Sequence, residues 1–361
     1  MRSVYIHIPF CNSICSYCDF CKMYYNEKLV NEYLDILEEE VKTRYLNDPI
    51  RTIYIGGGTP SSLNLKQLKR LFKIIDLFDN KYLEEFTFEV NLDSINLEKI
   101  LFLKDHLVSR ISIGIETINK KILHSINRHH TENEIITKIN MIKDYIPNIN
   151  VDLMFGFKDE TIEVLKKDLD FITNLDIKHI SLYSLIIEEH TVFSINKYKR
   201  LSEDQDRVMY DYIRKYLFDK GFNHYEISNF CKEGYESRHN LVYWDNLEYY
   251  GFGLSAGFYI NSIRGTNTRS INKYLDKNYI FAEETIDKKD DMIYEIILGL
   301  RKIEGINIDM FNKKYNVNLL ELFDIIELVN RNVLVVNDGY LYINENYLYV
   351  SNSILERFLD I

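Results

Sequence analysis

The feature that most constrains the fold of this chain is a regular alternation of short apolar runs with longer amphipathic runs between residues 4 and 186. The apolar runs are rich in β-branched and aromatic residues and end in Gly, Pro, Asn or a charge, which is typical of buried strands. They are VYIHIP (4–9), TIYIGGG (52–58), FTFEVN (86–91), RISIGIET (110–117), NVDLMFG (150–156) and HISLYSLI (179–186). Between them, stretches such as 31–46, 65–78 and 162–175 have the three-to-four apolar spacing of helices.

Six strand–helix units in a row predict a parallel sheet with right-handed crossovers. An open doubly wound sheet and a barrel both satisfy this pattern. A barrel brings side chains from many strand ends together, and its functional groups lie at the carboxyl ends of the strands. Cysteines, glycines and carboxylates fall at those ends here. We therefore predict an α/β fold, a partial parallel (β/α)6 barrel followed by a smaller α+β C-terminal region.

The pattern changes after residue 200, where the strand–helix alternation stops. We expect residues 1–200 to form the partial barrel with the cofactor sites and residues 201–285 to complete the barrel. Residues 286–361 are expected to form a small α+β module. In that module, VLVVNDGYLYINENYLYV predicts a hairpin whose turn is Asp338-Gly339.

Composition excludes several functional classes and indicates where the chain works. The net charge of −11 weighs against non-specific nucleic-acid binding, which needs clustered Lys and Arg. The sequence contains no apolar run near the ~20 residues of a membrane span, so we expect at most a transient membrane association. The N-terminus is too short and too strand-like to be a signal peptide. We therefore predict a cytoplasmic protein with reduced thiols.

Four of the five cysteines fall within residues 11–21, and Cys11, Cys15 and Cys18 have the spacing C-x3-C-x2-C. An odd number of cysteines and a reducing compartment weigh against disulfides. A zinc site would need a second ligand pair, and no such pair follows downstream. Three thiolates on one loop suit a 4Fe–4S cluster and leave its fourth iron open. Zinc and a purely structural role remain the alternatives.

This spacing after a first strand, with Tyr17 before the last cysteine, resembles the radical S-adenosylmethionine (SAM) superfamily. The resemblance implies that SAM chelates the open iron and is cleaved by one electron to a 5′-deoxyadenosyl radical. YIHIPFC resembles the entry strand of the oxygen-independent coproporphyrinogen III dehydrogenases and their relatives. GGGTPSSL (56–63) resembles the glycine element that holds the amino-acid moiety of SAM. We expect the barrel to be of the radical SAM type.

The resemblance assigns cofactor contacts to individual positions of this sequence. The cluster ligands are Cys11, Cys15 and Cys18. The implied SAM contacts are Tyr5, Tyr17, Gly57, Gly58, Thr59, Glu89, Glu116, Arg128 and Asp152. The chain departs from the family in three places: Glu116 replaces the usual Gln, FGFKDET (155–161) replaces a loop closer to GLPGQT, and Gly257 replaces the usual His.

Two features separate the dehydrogenases from the haem chaperone branch of this family. The dehydrogenases resemble C-x3-C-x2-C-x-C and carry an N-terminal extension, whereas this chain begins at the strand and has Phe20 at the fourth cysteine position. Cys21 lies one residue out of register, and we interpret Cys21 and Cys231 as spare thiols. The motif HNLVYW (239–244) is similar to the H-N-x-x-Y-W motif of the haem chaperones.

The motif HNLVYW suits contact with a haem. Imidazole is a common axial ligand of haem iron, and Tyr243 lies at i+4 from His239, on the same helical face. Trp244, the only tryptophan, offers flat apolar surface to a macrocycle. The resemblance implies haem contacts at His239, Asn240, Tyr243 and Trp244, with Asn240 and Tyr243 either ligands or orienting groups.

We therefore predict a haem chaperone that carries a 4Fe–4S cluster and SAM, binds haem and transfers it to an acceptor apoprotein. An electron donor such as flavodoxin or ferredoxin is a further expected partner. The alternative is an oxygen-independent coproporphyrinogen III dehydrogenase, an enzyme of porphyrin biosynthesis. A third hypothesis, a simple electron-transfer iron–sulfur protein, needs neither the glycine element nor the acids at the strand ends.

Overall fold

The structure is a computed structural model of the chain and describes residues 1–322 and 325–359. Its strands are β1 (Arg2–Ile8), β2 (Phe10–Cys11), β3 (Met23–Tyr24), β4 (Ile50–Gly57), β5 (Glu85–Val90), β6 (Arg110–Glu116), β7 (Asn148–Phe155), β8 (His179–Ser184), β9 (Asn223–Glu226), β10 (Asn229–Cys231), β11 (Tyr249–Phe252), β12 (Gly257–Ile260), β13 (Ile263–Asn267), β14 (Ile280–Thr285), β15 (Ile306–Asn307), β16 (Leu334–Asn337) and β17 (Tyr340–Ile343). Its α-helices are α1 (Glu27–Arg44), α2 (Leu65–Ile75), α3 (Leu97–Asp105), α4 (Lys120–Ser125), α5 (Glu132–Lys143), α6 (Ile162–Thr173), α7 (Val192–Ile195), α8 (Glu203–Asp219), α9 (Arg238–Trp244), α10 (Ile271–Leu275), α11 (Lys288–Gly299), α12 (Ile308–Tyr315), α13 (Ile325–Asn330) and α14 (Ser351–Leu355).

The six predicted strands form one parallel sheet in the order β1-β4-β5-β6-β7-β8. Each strand lies beside the next one along the chain, as expected for successive right-handed crossovers. The predicted α/β fold is thereby confirmed. The helices between the strands are also present, and the region near 120–145 contains two of them, α4 and α5.

Strands from the second half of the chain extend this sheet at both edges. β11 pairs parallel to β1, and β12, β13 and β14 continue from it antiparallel. At the other edge, β10 and β9 pair antiparallel beyond β8. The two outermost strands of the described sheet, β14 and β9, do not pair with each other, so the barrel is partial.

Apolar and polar side chains alternate along the parallel strands. In β5, for example, Phe86 and Phe88 are buried against Phe72 of α2, whereas Glu85 and Glu89 lie on the opposite face. This period of two places the apolar residues beneath the helices and the polar residues on the inner face of the partial barrel. The fold therefore has a polar interior, with acids, tyrosines and a buried Arg110.

The C-terminal part forms a separate three-stranded sheet in the order β15-β17-β16. The predicted hairpin is present, with Asp338 and Gly339 between β16 and β17 at φ values of 49° and 80°. Positive φ at both turn residues matches the twist of a two-residue hairpin. Among the described helices, none combines the length and apolar character needed to cross a membrane.

Candidate cofactor site

A cavity of about 450 Å³ opens at the carboxyl ends of the parallel strands. The cavity wall includes every residue predicted to bind the cluster or SAM except Tyr5. These wall residues are Cys11, Cys15, Tyr17, Cys18, Gly57, Gly58, Thr59, Glu89, Glu116, Arg128 and Asp152. The structure therefore brings together groups that lie up to 141 positions apart in the sequence. Tyr5 lies behind the wall, where its hydroxyl is 3.0 Å from Nδ1 of His7.

The cysteine loop follows β2 and is held from the side by the end of α4 and by α7. The backbone N–H of Ser16 donates to Ile126 O (3.1 Å), and that of Phe193 donates to Ser16 O (3.0 Å). The hydroxyl of Thr59 donates to Cys11 Sγ at 3.5 Å. Burial raises the pKa of the Cys18 thiol to about 11, so a metal that binds this thiol has to displace a proton.

The fourth and fifth cysteines of the chain do not join this group. Cys21 is buried, with its Sγ 3.6 Å from Arg269 O, and Cys231 is buried in β10. Phe20, at the position of the dehydrogenase's extra cysteine, is 64% exposed at the mouth of the cavity.

The glycine element lies against the cysteine loop, with no room for side chains. A Cβ on Gly58 would lie 2.8 Å from Pro9 C and 3.0 Å from Cys11 Sγ. Gly57 has φ +115°, and a Cβ there would lie 2.6 Å from the His7 ring. Glycine is therefore required for this close approach between β4 and the cysteine loop.

Glu89 lies beside the glycine element at the end of β5. Its Oε1 accepts from the Tyr54 hydroxyl at 2.7 Å, and its Oε2 accepts from Gly57 N at 2.9 Å. Burial raises the pKa of the Glu89 carboxyl to about 7, with nearby Asp152 acting in the same direction. A cationic ligand would favour the ionised form of this carboxyl.

Glu116 forms a buried ion pair with Arg128 at 2.8 Å and accepts from the Tyr17 hydroxyl at 2.9 Å. Glu116 has φ 62°, a conformation that costs free energy in a non-glycine residue. Its Oε2 and the Nε of Arg128 are buried without a hydrogen-bond partner among the described residues. Such orphaned atoms are rare in native proteins, and a bound ligand satisfies them.

The loop that departs from the family motif keeps its shape by other means. Glu160 Oε2 accepts from Gly156 N (2.8 Å) and Phe157 N (3.0 Å) and closes the loop after β7. Asp159, at the position of the second family glycine, adopts φ 60°. Asp tolerates this left-handed conformation better than most residues do.

The HNLVYW segment lies at the opposite end of the barrel from the cavity. It forms α9, whose N–H groups at Arg238 and His239 donate to Glu85 at the start of β5, both at 3.0 Å. His239 is fully buried, whereas Asn240 and Trp244 are partly exposed. The Trp244 ring lies 5.6 Å from the Arg301 guanidinium, and Trp244 Nε1 is buried without a partner among the described residues.

Sequence reasoning missed several residues of the cavity wall, including Tyr54, Asn91, Ser112 and Tyr183. Asn91 Nδ2 donates to Thr59 Oγ1 at 3.0 Å and so connects the acidic strand end to the glycine element. The alternation of strand residues could have identified Asn91 and Tyr54, because every second residue of a strand lies on the same face. Asn91 lies two positions after Glu89, and Tyr54 lies two before Gly56.

The residues of the cavity fit an iron–sulfur cluster with a polar, cationic ligand beside it. Three thiols from one loop share the wall with two acids, an ion pair with orphaned atoms and a glycine cradle that side chains would fill. Among residues 1–322 and 325–359, no group of three or more His, Cys, Asp or Glu side chains is arranged to hold a single metal ion. A cluster with one thiolate per iron does not require such an arrangement.

Comparisons with known proteins identify the family to which the chain is similar. Residues 5–172 match the family model of the radical SAM superfamily. The chain is 39% identical over 369 residues to the haem chaperone HemW of Lactococcus lactis subsp. lactis (strain IL1403), covering 99% of this chain and 97% of the relative. It is 38% identical over 338 residues to the haem chaperone HemW of Bacillus subtilis (strain 168), covering 90% and 89%.

A solved structure has the same fold over nearly the whole chain. This structure is coproporphyrinogen III oxidase (HemN) from Escherichia coli, described as a radical SAM enzyme, with a TM-score of 0.87 and 20% identity. The similarity covers 99% of this chain and 89% of that chain. It shows the fold, and the fold alone does not determine the activity.

Proposed function

Because the chain belongs to the haem chaperone HemW family of the radical SAM superfamily, we propose that it binds haem and transfers it to an acceptor protein. The chain carries a 4Fe–4S cluster and SAM as a member of that superfamily. The observation that carries the proposal is a single cavity shared by the cysteine loop, the glycine element and the strand-end acids, in a chain similar to HemW over its full length.

We propose that Cys11, Cys15 and Cys18 hold the cluster. A bound cluster of this kind supplies one electron to SAM. The SAM contacts proposed from the sequence are Tyr17, Gly57, Gly58, Thr59, Glu89, Glu116, Arg128 and Asp152, with Tyr5 acting from behind the wall. Glu89 and Asp152 supply negative charge for the cationic groups of SAM. The orphaned atoms of Glu116 and Arg128 support a polar contact at that corner.

We propose that haem contacts the α9 segment, which carries the predicted set His239, Asn240, Tyr243 and Trp244. Asn240, Tyr243 and Trp244 are partly exposed, and His239 is the buried member of the set. The cation of Arg301 beside Trp244 offers a partner for a haem propionate. Within this proposal, residues 1–200 hold cluster and SAM, 201–285 hold the haem segment, and 286–361 form the C-terminal module.

The same proposal includes two protein partners, which are the acceptor apoprotein and an electron donor such as flavodoxin or ferredoxin. It also includes a cytoplasmic location. A reducing compartment suits three cysteine thiols that have to stay free for iron. We include an electron donor because a cluster that lies beside SAM in the cavity has to be reduced before it can deliver an electron.

The proposal is tested by haem titration of the anaerobically reconstituted chain, with and without SAM. We expect a Soret band that saturates with haem and weakens in Trp244→Ala, because the ring surface is lost. Leu247→Ala is the matched control, since Leu247 is an exposed apolar residue three positions farther along. Absence of a Soret band in the cluster-loaded chain would refute the proposal.

The same preparation is offered coproporphyrinogen III, SAM and a reductant. We expect no enzyme-like turnover, because the chain has Phe20 instead of the dehydrogenase's fourth cysteine. Sustained decarboxylation would instead favour the dehydrogenase, with which this chain shares its fold.

A further inference from the structure

His239, the first residue of the haem motif, has no free ring nitrogen in this structure. Its Nδ1 lies 2.8 Å from Thr52 Oγ1, and its Nε2 lies 2.8 Å from the Tyr243 hydroxyl. The side chain is 0% exposed. An axial ligand has to present a nitrogen lone pair to the haem iron, and neither nitrogen does so here.

The surrounding hydrogen bonds fix the protonation of the ring. The Thr52 hydroxyl donates its one proton to Ser3 Oγ at 2.7 Å, so it accepts from His239 Nδ1. His239 Nε2 therefore accepts from the Tyr243 hydroxyl. Burial lowers the pKa of His239 to about 3, with the Arg110 charge acting in the same direction. The imidazole is a neutral bridge between β4 and α9.

The other side of the His239 ring contacts Tyr54, which lies two residues after Thr52 on the same face of β4. The ring centroids of His239 and Tyr54 are 5.3 Å apart, with the planes inclined by 38°. The Tyr54 hydroxyl donates to Glu89, whose second oxygen accepts from Gly57 N. A continuous set of contacts thus runs from α9 at the amino end of the barrel to the glycine element.

We propose that His239 is a positioning residue of the SAM site, which acts by holding Tyr54 against Glu89, and that it is not the axial ligand of haem. This inference rests on the proposed function in that the cavity binds SAM. Tyr54 itself lines the cavity, and away from the cavity its ring is packed between His239 and Tyr5, with centroid distances of 5.3 Å and 6.0 Å. Without the imidazole, the Tyr54 hydroxyl loses its fixed position beside the carboxylate.

The expected readout is the pH dependence of SAM binding, because the Tyr54 hydrogen bond favours ionised Glu89. The titratable and charged groups that face Glu89 are Tyr5, Tyr54, Arg110, Asp152, Tyr183 and Tyr243. Within the described residues, Tyr54 is the member of this set whose hydroxyl bonds to the carboxylate. Loss of the Tyr54 hydroxyl therefore moves the midpoint of the pH dependence of SAM binding. General loosening of the fold instead lowers the affinity for SAM equally at every pH.

The experiment measures SAM affinity of the cluster-loaded chain between pH 6 and 9. We expect Tyr54→Phe to move the midpoint upward and to weaken binding at pH 7 by about threefold to tenfold, the effect of one lost hydrogen bond. His239→Ala should move the midpoint in the same direction by a smaller amount. SAM's own titration is common to all variants and cancels in the comparison.

Thr52→Val and Tyr243→Phe each remove one hydrogen bond to the imidazole without opening a space, so they test the inference even if His239→Ala does not fold. Both should shift the midpoint upward. Arg238→Gln is the control, because Arg238 precedes His239 on α9 but pairs outward with Glu84. An unchanged midpoint in Tyr54→Phe, Thr52→Val and Tyr243→Phe would overturn the inference.

Haem titration of the same variants separates positioning from ligation. We expect His239→Ala to retain the position of the wild-type Soret band. A shifted or lost band with an unchanged SAM profile would overturn the inference and assign His239 to the iron. If the wild-type chain binds no haem, the proposed function fails, while the SAM titration still decides the role of His239.

Discussion

The two ends of the partial barrel use polar residues in opposite ways. At the carboxyl end, the cavity wall contains thiols, acids and the buried, unpartnered atoms of Glu116 and Arg128. At the amino end, α9 covers the strands, and Glu85, Thr52 and His239 bond to other protein groups. The buried polar groups of the carboxyl end face a cavity, whereas those of the amino end hold the protein together. The difference cautions against assigning a ligand role from a motif alone, because HNLVYW places its histidine at the supporting end.

The largest effect that tests this contrast is the loss of a cluster ligand. We expect Cys18→Ser to abolish the cluster, because the hydroxyl of serine is a poor substitute for a thiolate. Iron content and visible absorbance after anaerobic reconstitution measure the loss. Cys21→Ser is the matched control and should retain full iron, since Cys21 bonds to Arg269 O and does not line the cavity. Equal iron loss in both variants would contradict the division of the cysteines into three plus one.

A second test concerns the close contact between the glycine element and the cysteine loop. We expect Gly58→Ala to destabilise the chain by about 1–3 kcal/mol, the usual cost of overpacking, because the new Cβ meets the backbone of Pro9 and Phe10. Chemical denaturation and SAM affinity measure the effect. Gly257→Ala is the control, since a Cβ there has only ordinary contacts at 3.7 Å or more. A Gly58→Ala variant with wild-type stability and SAM affinity would refute the close approach.

A third test uses the acid that closes the loop after β7. Burial raises the pKa of Glu160 from 4.5 to about 8. Between these two pH values the folded chain keeps a proton on this carboxyl that the unfolded chain has lost. This group therefore lowers stability as the pH rises from about 4.5 to 8. We expect Glu160→Gln to raise the free energy of unfolding at pH 8 by about 1–3 kcal/mol and to leave it nearly unchanged at pH 4.5. The opposite sign would contradict the burial argument.

The smallest expected effect lies at the amino end. Glu85→Gln leaves one oxygen for the two N–H groups of α9 that the carboxylate now accepts. We expect a loss of about 0.5–1.5 kcal/mol, the net contribution of a hydrogen bond, seen as faster hydrogen exchange in α9. Glu84→Gln on the outer side should leave that exchange unchanged. Loss of the cluster in Glu85→Gln would contradict a purely supporting role for Glu85.

The sequence predicted the parallel sheet, and every residue that it assigned to the cluster or SAM except Tyr5 lies in the cavity wall. β-branched runs that end in Gly, Asn or a charge determine both the strands and the positions of their carboxyl ends. The spacing of Cys11, Cys15 and Cys18 indicates their shared loop directly. The assignment of Glu89 relied on the resemblance, since a strand pattern alone does not distinguish one inward acid from another.

The sequence could not predict where α9 lies. This helix begins 54 residues after β8 ends, and only the tertiary path returns it to Thr52 and Glu85 at the amino ends of the strands. The edge strand β11 was missed for the same reason, because its pairing with β1 joins residues 246 positions apart, and β12 to β14 continue from it. Loop 155–161 keeps its shape through Asp159 and Glu160. A comparison of the sequence with the family motif does not reveal this.

The central claim is that the cavity at the carboxyl end holds a cluster and SAM side by side. The most direct measurement is the electron paramagnetic resonance spectrum of the reduced, cluster-loaded chain, recorded with and without SAM. We expect SAM to change the spectrum, because the acids and the glycine element line the same cavity as the three thiols. Identical spectra at saturating SAM would contradict the claim and favour a simple electron-transfer protein.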